Sequence, residues 1–187
     1  MTLNSREAIL AAARLRVQAH GYGGLSFRDL AAEVGIKAPS IFHHFANKAE
    51  LGAAVARRYR EDAAAALAAL AEEGPDARAS LARYPATFRG ALENGNRLCL
   101  ASVMAAELAD LPPPVQAEVR DFAAMNIAWL AGRIAAAGLA APEGAGPRAR
   151  AVFAAVAGAQ LLARGGGGVA AFDAVVDSYR AAGLIPS

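Results

Sequence analysis

SFRDLAAEVGIKAPSIFHHFANK, residues 26–48, is the stretch whose reading decides the fold. Ser26 carries a side-chain oxygen suited to capping a helix, and Phe27 to Val34 follow with helical spacing of apolar residues. Gly35 then ends that helix, since glycine takes the left-handed backbone without a Cβ penalty. Ile36 is an apolar plug. Lys37-Ala38-Pro39 opens a second helix, with Pro39 in the first turn, where a missing N–H costs little. That helix is expected to run through His44, turning Ser40, His43 and His44 outward and Ile41 and Phe45 inward. Two short helices on such a turn predict a helix-turn-helix, whose second helix enters the DNA major groove.

The offsets are more specific than the composition. Counting Phe27 as the first position, Ala31 is the fifth, Gly35 the ninth and Ile41 the fifteenth. Ala31 is small where two helices must cross closely, Gly35 makes the turn, and Ile41 locks the second helix onto the first. A plain amphipathic hairpin would need the apolar period but neither the small residue nor the glycine at those places.

Residues 5–51, REAILAAARLRVQAHGYGGLSFRDLAAEVGIKAPSIFHHFANKAEL with the serine before them, resemble the DNA-binding domain of the TetR (tetracycline repressor-like) transcriptional regulators. The likeness lies in a first helix ending in HGY, a serine opening the second helix, LAAEVGI, the SIFHHF run, and N-K-x-x-L. It covers about a quarter of the chain; the rest is similar in its plan of helices. The resemblance implies tyrosine at the place of Phe42, with a hydroxyl that reaches a backbone phosphate. Phe42 has none, so no phosphate contact is assigned there.

Toward DNA, the outward polar groups of the second helix and its approach are Lys37, Ser40, His43 and His44. Ser26 and Arg28 flank the first helix of the motif, and Lys48 begins the next helix, where backbone N–H groups favour a phosphate. Charge is segregated in the same sense. Residues 1–60 hold nine Lys/Arg against four Asp/Glu, a net of +5, and the remainder ten against thirteen, a net of −3. A basic head on a mildly acidic body suits nucleic-acid contact by the head. The arginine-rich composition alone, 17 Arg to 2 Lys, does not account for that separation.

The rest of the chain reads as helices. Asn4 or Ser5 should cap a first helix to about His20, burying Ile9, Ala13 and Val17, and Gly21-Tyr22-Gly23-Gly24 breaks it. Asn47 should cap a long helix from Lys48 that carries Arg57, Arg58 and Arg60 and stops at Gly74-Pro75. Further helices are expected at 76–92, 97–109, 114–137, 147–164 and 169–182. No alternation of strand period appears. The fold class is therefore all-α: a three-helix head, residues 1–47, and a larger helical bundle, residues 48–187.

In that bundle, Phe88, Cys99, Met104 and Phe122 are candidate cavity residues, with Met125 and Trp129; ordinary core packing would explain each apolar one singly. Glu107 and Asn126 are more telling, because buried polar groups need partners. The resemblance implies a small organic effector bound in this region. Cys99, amid Leu and Ala, reads as a small buried hydrophobe or as an oxidant or electrophile sensor beside Arg97; both readings stay open.

Catalytic and metal signatures are missing. There is no G-x-S-x-G, no H-E-x-x-H and no Rossmann fingerprint. His43 and His44, about 100° apart on a helix, start poorly for shared metal ligation, and one cysteine excludes an intrachain disulfide framework. No metal or cofactor is expected. The longest charge-free helical run near the C-terminus, residues 151–163, is too short for a bilayer, and no secretory signal opens the chain, so the expectation is a cytoplasmic protein with no membrane partner. The reading is a homodimeric repressor paired through its last two long helices, bound to a palindromic double-stranded operator and released by the effector. The rival is a helical enzyme or small-molecule carrier that keeps the hairpin. Missing catalytic groups and filled head positions separate the two.

Overall fold

Ile9, Ala13 and Val17 sit on one side of a helix at i, i+4 and i+8, and all three are fully buried in α1, Ser5–His20. The computed structural model describes residues 5–72 and 76–187. The expected cap at Asn4 and the stop at Gly74-Pro75 lie outside them. Among the described residues every regular element is helical.

The chain divides into two compact units. The first comprises Met1–Glu61 and Leu100–Phe122, so it takes in more than the head of residues 1–47. It holds α1, a 3-10 turn at Tyr22–Gly24, α2 (Phe27–Val34), α3 (Ala38–Phe42), the first part of α4 (Lys48–Glu72), α7 (Leu100–Ala106), a 3-10 turn at Leu108–Asp110, and the start of α8 (Pro113–Ala136). Its centre is formed by Leu30, Ile41, Phe45, Leu51, Leu100, Met104 and Val115, each 1% exposed or less. Full burial of such a side chain contributes about 1.5–3 kcal/mol. Ile41→Ala should therefore cost about 2–5 kcal/mol through lost contact and the cavity left behind.

The second unit comprises Asp62–Cys99 and Ala123–Ser187. It contains the rest of α4 and α8, together with α5 (Ala77–Arg83), α6 (Ala86–Glu93), α9 (Pro142–Gly165) and α10 (Gly168–Ala181). Phe172 and Val176 bury α10, and Arg89 of α6 ties to Asp173 of α10 through Nε–Oδ1 at 2.9 Å and NH2–Oδ2 at 3.0 Å.

Several helix limits differ from the sequence expectation; α7, for one, ends at Ala106 and not at residue 109. The helix expected over 76–92 is two helices separated at Tyr84-Pro85, because proline lacks an N–H and crowds the preceding turn. The helix expected from Arg97 begins at Leu100: the Cys99 N–H donates to Gln160 Oε1 at 2.8 Å, and Asn96 has a left-handed φ of 54°. The helix expected from Pro147 starts at Pro142, which takes the favoured first-turn place and leaves Pro147 inside α9.

Candidate nucleic-acid interface

Each local signal in residues 26–48 has a physical counterpart. Ser26 Oγ accepts the Asp29 N–H at 3.4 Å. Gly35 is left-handed, φ 75°, and its N–H and that of Ile36 both close on the Ala31 carbonyl. Pro39 stands in the first turn of α3. The helix proper ends at Phe42, two residues short of the expected His44. The chain still coils through one more turn, where His44 N–H and Phe45 N–H both reach the Ile41 carbonyl at 2.9 Å.

The outward face carries the expected groups. Arg28, Lys37 and His43 are exposed; Ser26, Ser40, His44 and Lys48 are half-buried. Phe42 is 58% exposed, with its ring edge-on to Phe27 at 4.9 Å. An apolar ring held outward suits a surface that meets base edges and sugars.

Electrostatics sharpen this face in a way composition did not reveal. The acids of α2 are both met by Arg16 of α1: Nε–Glu33 Oε2 at 3.0 Å and NH1–Asp29 Oδ2 at 3.3 Å. The basic cluster of α4 is ion-paired within the chain. Arg57 Nε and Arg60 Nε donate to the two oxygens of buried Glu118, at 2.7 and 3.0 Å. That bond raises the Arg57 pKa. Arg58 pairs with Glu7 at 2.6 Å. Among the described residues of the head, Arg28 and Lys37 are the exposed cations whose side chains form no ion pair, hydrogen bond or ring contact. Lys48 is engaged differently from expectation: its Nζ donates to the Gly23 carbonyl at 3.2 Å and lies 4.8 Å from the Tyr22 ring centre. Asn47 Oδ1 accepts the Glu50 N–H at 2.9 Å, and Glu50 accepts the Ala46 N–H, so the start of α4 is partly capped from within. Sequence reading missed Arg16 and Glu118, since nothing local marks a partner 13, 17 or about 60 residues distant.

Residues 9–55 match the family described as bacterial regulatory proteins, tetR family. The repressor AcnR of Corynebacterium efficiens is 42% identical over 72 residues, 38% of this chain. The chain spans just over a third, 37%, of that curated relative. The TetR transcriptional regulator of Legionella pneumophila superposes with a TM-score of 0.88 at 29% identity, covering 95% of this chain and 96% of that one. A TetR-family regulator from Agrobacterium tumefaciens gives 0.85 at 29% identity, covering 93% and 94%.

Residues 9–55 match the tetR family, and the whole chain shares the fold of these TetR-family regulators.

These relatives are a transcriptional repressor and two transcriptional regulators. The other candidate residues fall into two groups. Met104, Glu107 and Phe122 belong to the first unit; Phe88, Cys99, Met125, Asn126 and Trp129 belong to the second. In the second, Tyr84 organises the group. It is fully buried, its ring lies 5.8 Å from Trp129 and 5.9 Å from Phe88, and Phe153 sits edge-on to Phe88 at 6.2 Å. The Tyr84 hydroxyl donates to Asn126 Oδ1 at 3.0 Å, which gives Asn126 the partner its burial requires. Burial pushes the Tyr84 phenol far above its ordinary pKa. Cys99 is 2% exposed. In the first unit, Glu107 accepts the Tyr22 N–H at 2.8 Å. Among the described residues no helix is long and apolar enough to cross a membrane, and no group of three or more His, Cys, Asp or Glu is placed for a metal.

Proposed function

We propose that this chain is a homodimeric transcriptional repressor that binds a palindromic double-stranded operator in the cytoplasm and is released by a small organic effector. The observation that carries the reading is α3, opened by Pro39 in its first turn, exposed at Phe42 and flanked by the uncommitted cations Arg28 and Lys37. Residues 1–47 serve as the DNA-binding head, with Ser26, Arg28, Lys37, Ser40, His43, His44 and Lys48 at the duplex. Residues 48–187 serve effector binding and dimerisation. A helix as short as α3 reads few base pairs, so two heads acting on inverted half-sites are needed for useful specificity. The dimer face is assigned to α9 and α10, where Leu161 and Leu162 are 61% and 66% exposed; two adjacent leucines open to water suit a self-complementary contact. The effector is assigned to the Tyr84 cluster, with Phe88, Met125, Asn126 and Trp129, an apolar lining with one polar pair that suits a largely apolar organic compound.

The test is to sequence genomic fragments retained by the purified protein and to footprint the enriched site. The expected result is an inverted repeat with half-sites about 34–36 Å apart or slightly more. Retention of fragments with no shared sequence would refute the reading.

A further inference from the structure

The corner between α1 and α2 is gripped by residues distant in sequence. Gly21 has φ 70°, and a Cβ there would overlap the Glu107 carboxylate, with Cδ only 2.9 Å away. Glu107 Oε2 accepts the Tyr22 N–H at 2.8 Å. From α4, Lys48 Nζ donates to the Gly23 carbonyl at 3.2 Å, and the Tyr22 ring lies against Gly52, where a Cβ would come within 2.6 Å of it. Immediately after this corner, Leu25 enters the core at 3% exposure and Ser26 starts α2. Whatever sets the corner therefore sets the direction of α2 and α3.

Glu107 is mounted on a joint. It stands between α7 and the 3-10 turn Leu108–Asp110, at φ −104° and ψ 14°, outside both helices. A small backbone rotation there swings the carboxylate. Its hold is one hydrogen bond to a charged acceptor, firm but reversible. The helix α7 begins directly after Cys99, whose N–H is pinned by Gln160.

Resting on the regulator reading above, we propose that Glu107 is a positioning residue for operator binding: its carboxylate latches the Gly21–Gly24 corner at the angle the operator requires, and its withdrawal unseats the DNA head. Glu107 thus acts on the head and not as an effector ligand.

The test compares Glu107→Ala, Glu107→Gln and the unaltered chain on a full inverted repeat and on a single half-site, with amide exchange read at Tyr22. A dimer must seat two heads at once, so a loose corner penalises the full repeat and spares the half-site. Glu107→Ala should lose about tenfold on the full repeat and less than about twofold on the half-site, a coupling within the usual range, and the Tyr22 amide should exchange faster. Glu107→Gln keeps an oxygen acceptor and should behave like the unaltered chain. Equal losses on both duplexes, no loss on the full repeat, or unchanged Tyr22 exchange would overturn the latch. If Glu107→Ala does not fold, Gly21→Ala fills the seat of the carboxylate and should give the same selective loss; an unselective loss overturns the proposal. An unaltered chain that binds neither duplex overturns the regulator reading itself, and the latch with it.

Discussion

Arg28 and Lys37 enter no ion pair within the chain, whereas Arg16, Arg57, Arg58 and Arg60 are held by Asp29, Glu33, Glu118 and Glu7. Affinity for DNA should therefore fall with salt by about 0.9 in log K per neutralised phosphate. Lys37→Ala and Arg28→Ala should each weaken binding and make that slope shallower, while Arg57→Ala leaves the slope unchanged. An Arg57→Ala slope as shallow as the Lys37→Ala one would show that the Glu118 bond yields to DNA. A second charge effect sits on α10. The hydrogen bond from Arg89 holds the Asp173 carboxyl below its ordinary pKa. A carboxyl depressed in the folded state stabilises it above the unfolded pKa, near 4, and that contribution is lost as pH falls through the folded value. Asp173→Asn should accordingly lower the melting temperature slightly at neutral pH and not at strongly acid pH. A deficit that persists unchanged into acid would refute the linkage.

At the scale of elements, α9 distinguishes folding from assembly. Ala159 is fully buried within its own unit, while Leu161 and Leu162 face water. Ala159→Arg places a charge in a packed interior and should unfold the second unit. Leu162→Arg should leave helicity and melting nearly intact and give monomers with poor operator affinity, read by sedimentation and anisotropy together. A Leu162→Arg dimer with full affinity would move the interface elsewhere. The Tyr84–Asn126 bond between the α5–α6 junction and α8 is a second element-scale contact. Asn126→Leu leaves the buried phenol without an acceptor and should cost about 1–3 kcal/mol, measured by denaturant unfolding; a neutral substitution would mean that the hydroxyl finds another partner.

For the whole molecule, a compound releases DNA only if it binds the DNA-incompetent arrangement more tightly than the competent one. A coupling of about 1–3 kcal/mol gives roughly a 5–150-fold loss of operator affinity. Trp129 is the sole tryptophan and stacks on Tyr84, so its emission should report occupancy of the aromatic cluster. An effector is expected to change that emission and dissociate operator over one concentration range. Trp129→Ala should retain DNA binding and respond less. DNA release with flat Trp129 emission would place the effector elsewhere, and Cys99→Ser then tests whether thiol modification is the signal.

The helix-turn-helix was legible because its determinants are local: the Ser26 cap, the left-handed Gly35, Pro39 in a first turn and the helical period of the buried positions all act within a few residues of themselves. Most helix limits in the body followed from Gly and Pro for the same reason. Where local signals competed, the expectation failed: Pro85 divided one expected helix, and Pro142 took the starting place assigned to Pro147. The pairing of charges was beyond sequence. The basic run Arg57-Arg58-Arg60 looks in sequence like a nucleic-acid patch, yet Glu118 and Glu7 occupy it; Glu107 looks like a pocket residue, yet its carboxylate rests on the Tyr22 amide. An ion pair is set by which helices pack together, and sequence distance carries no record of that. Thus the sequence by itself determined the elements, their caps and the outward face of α3, while the tertiary structure alone decided which charges remain free to meet DNA.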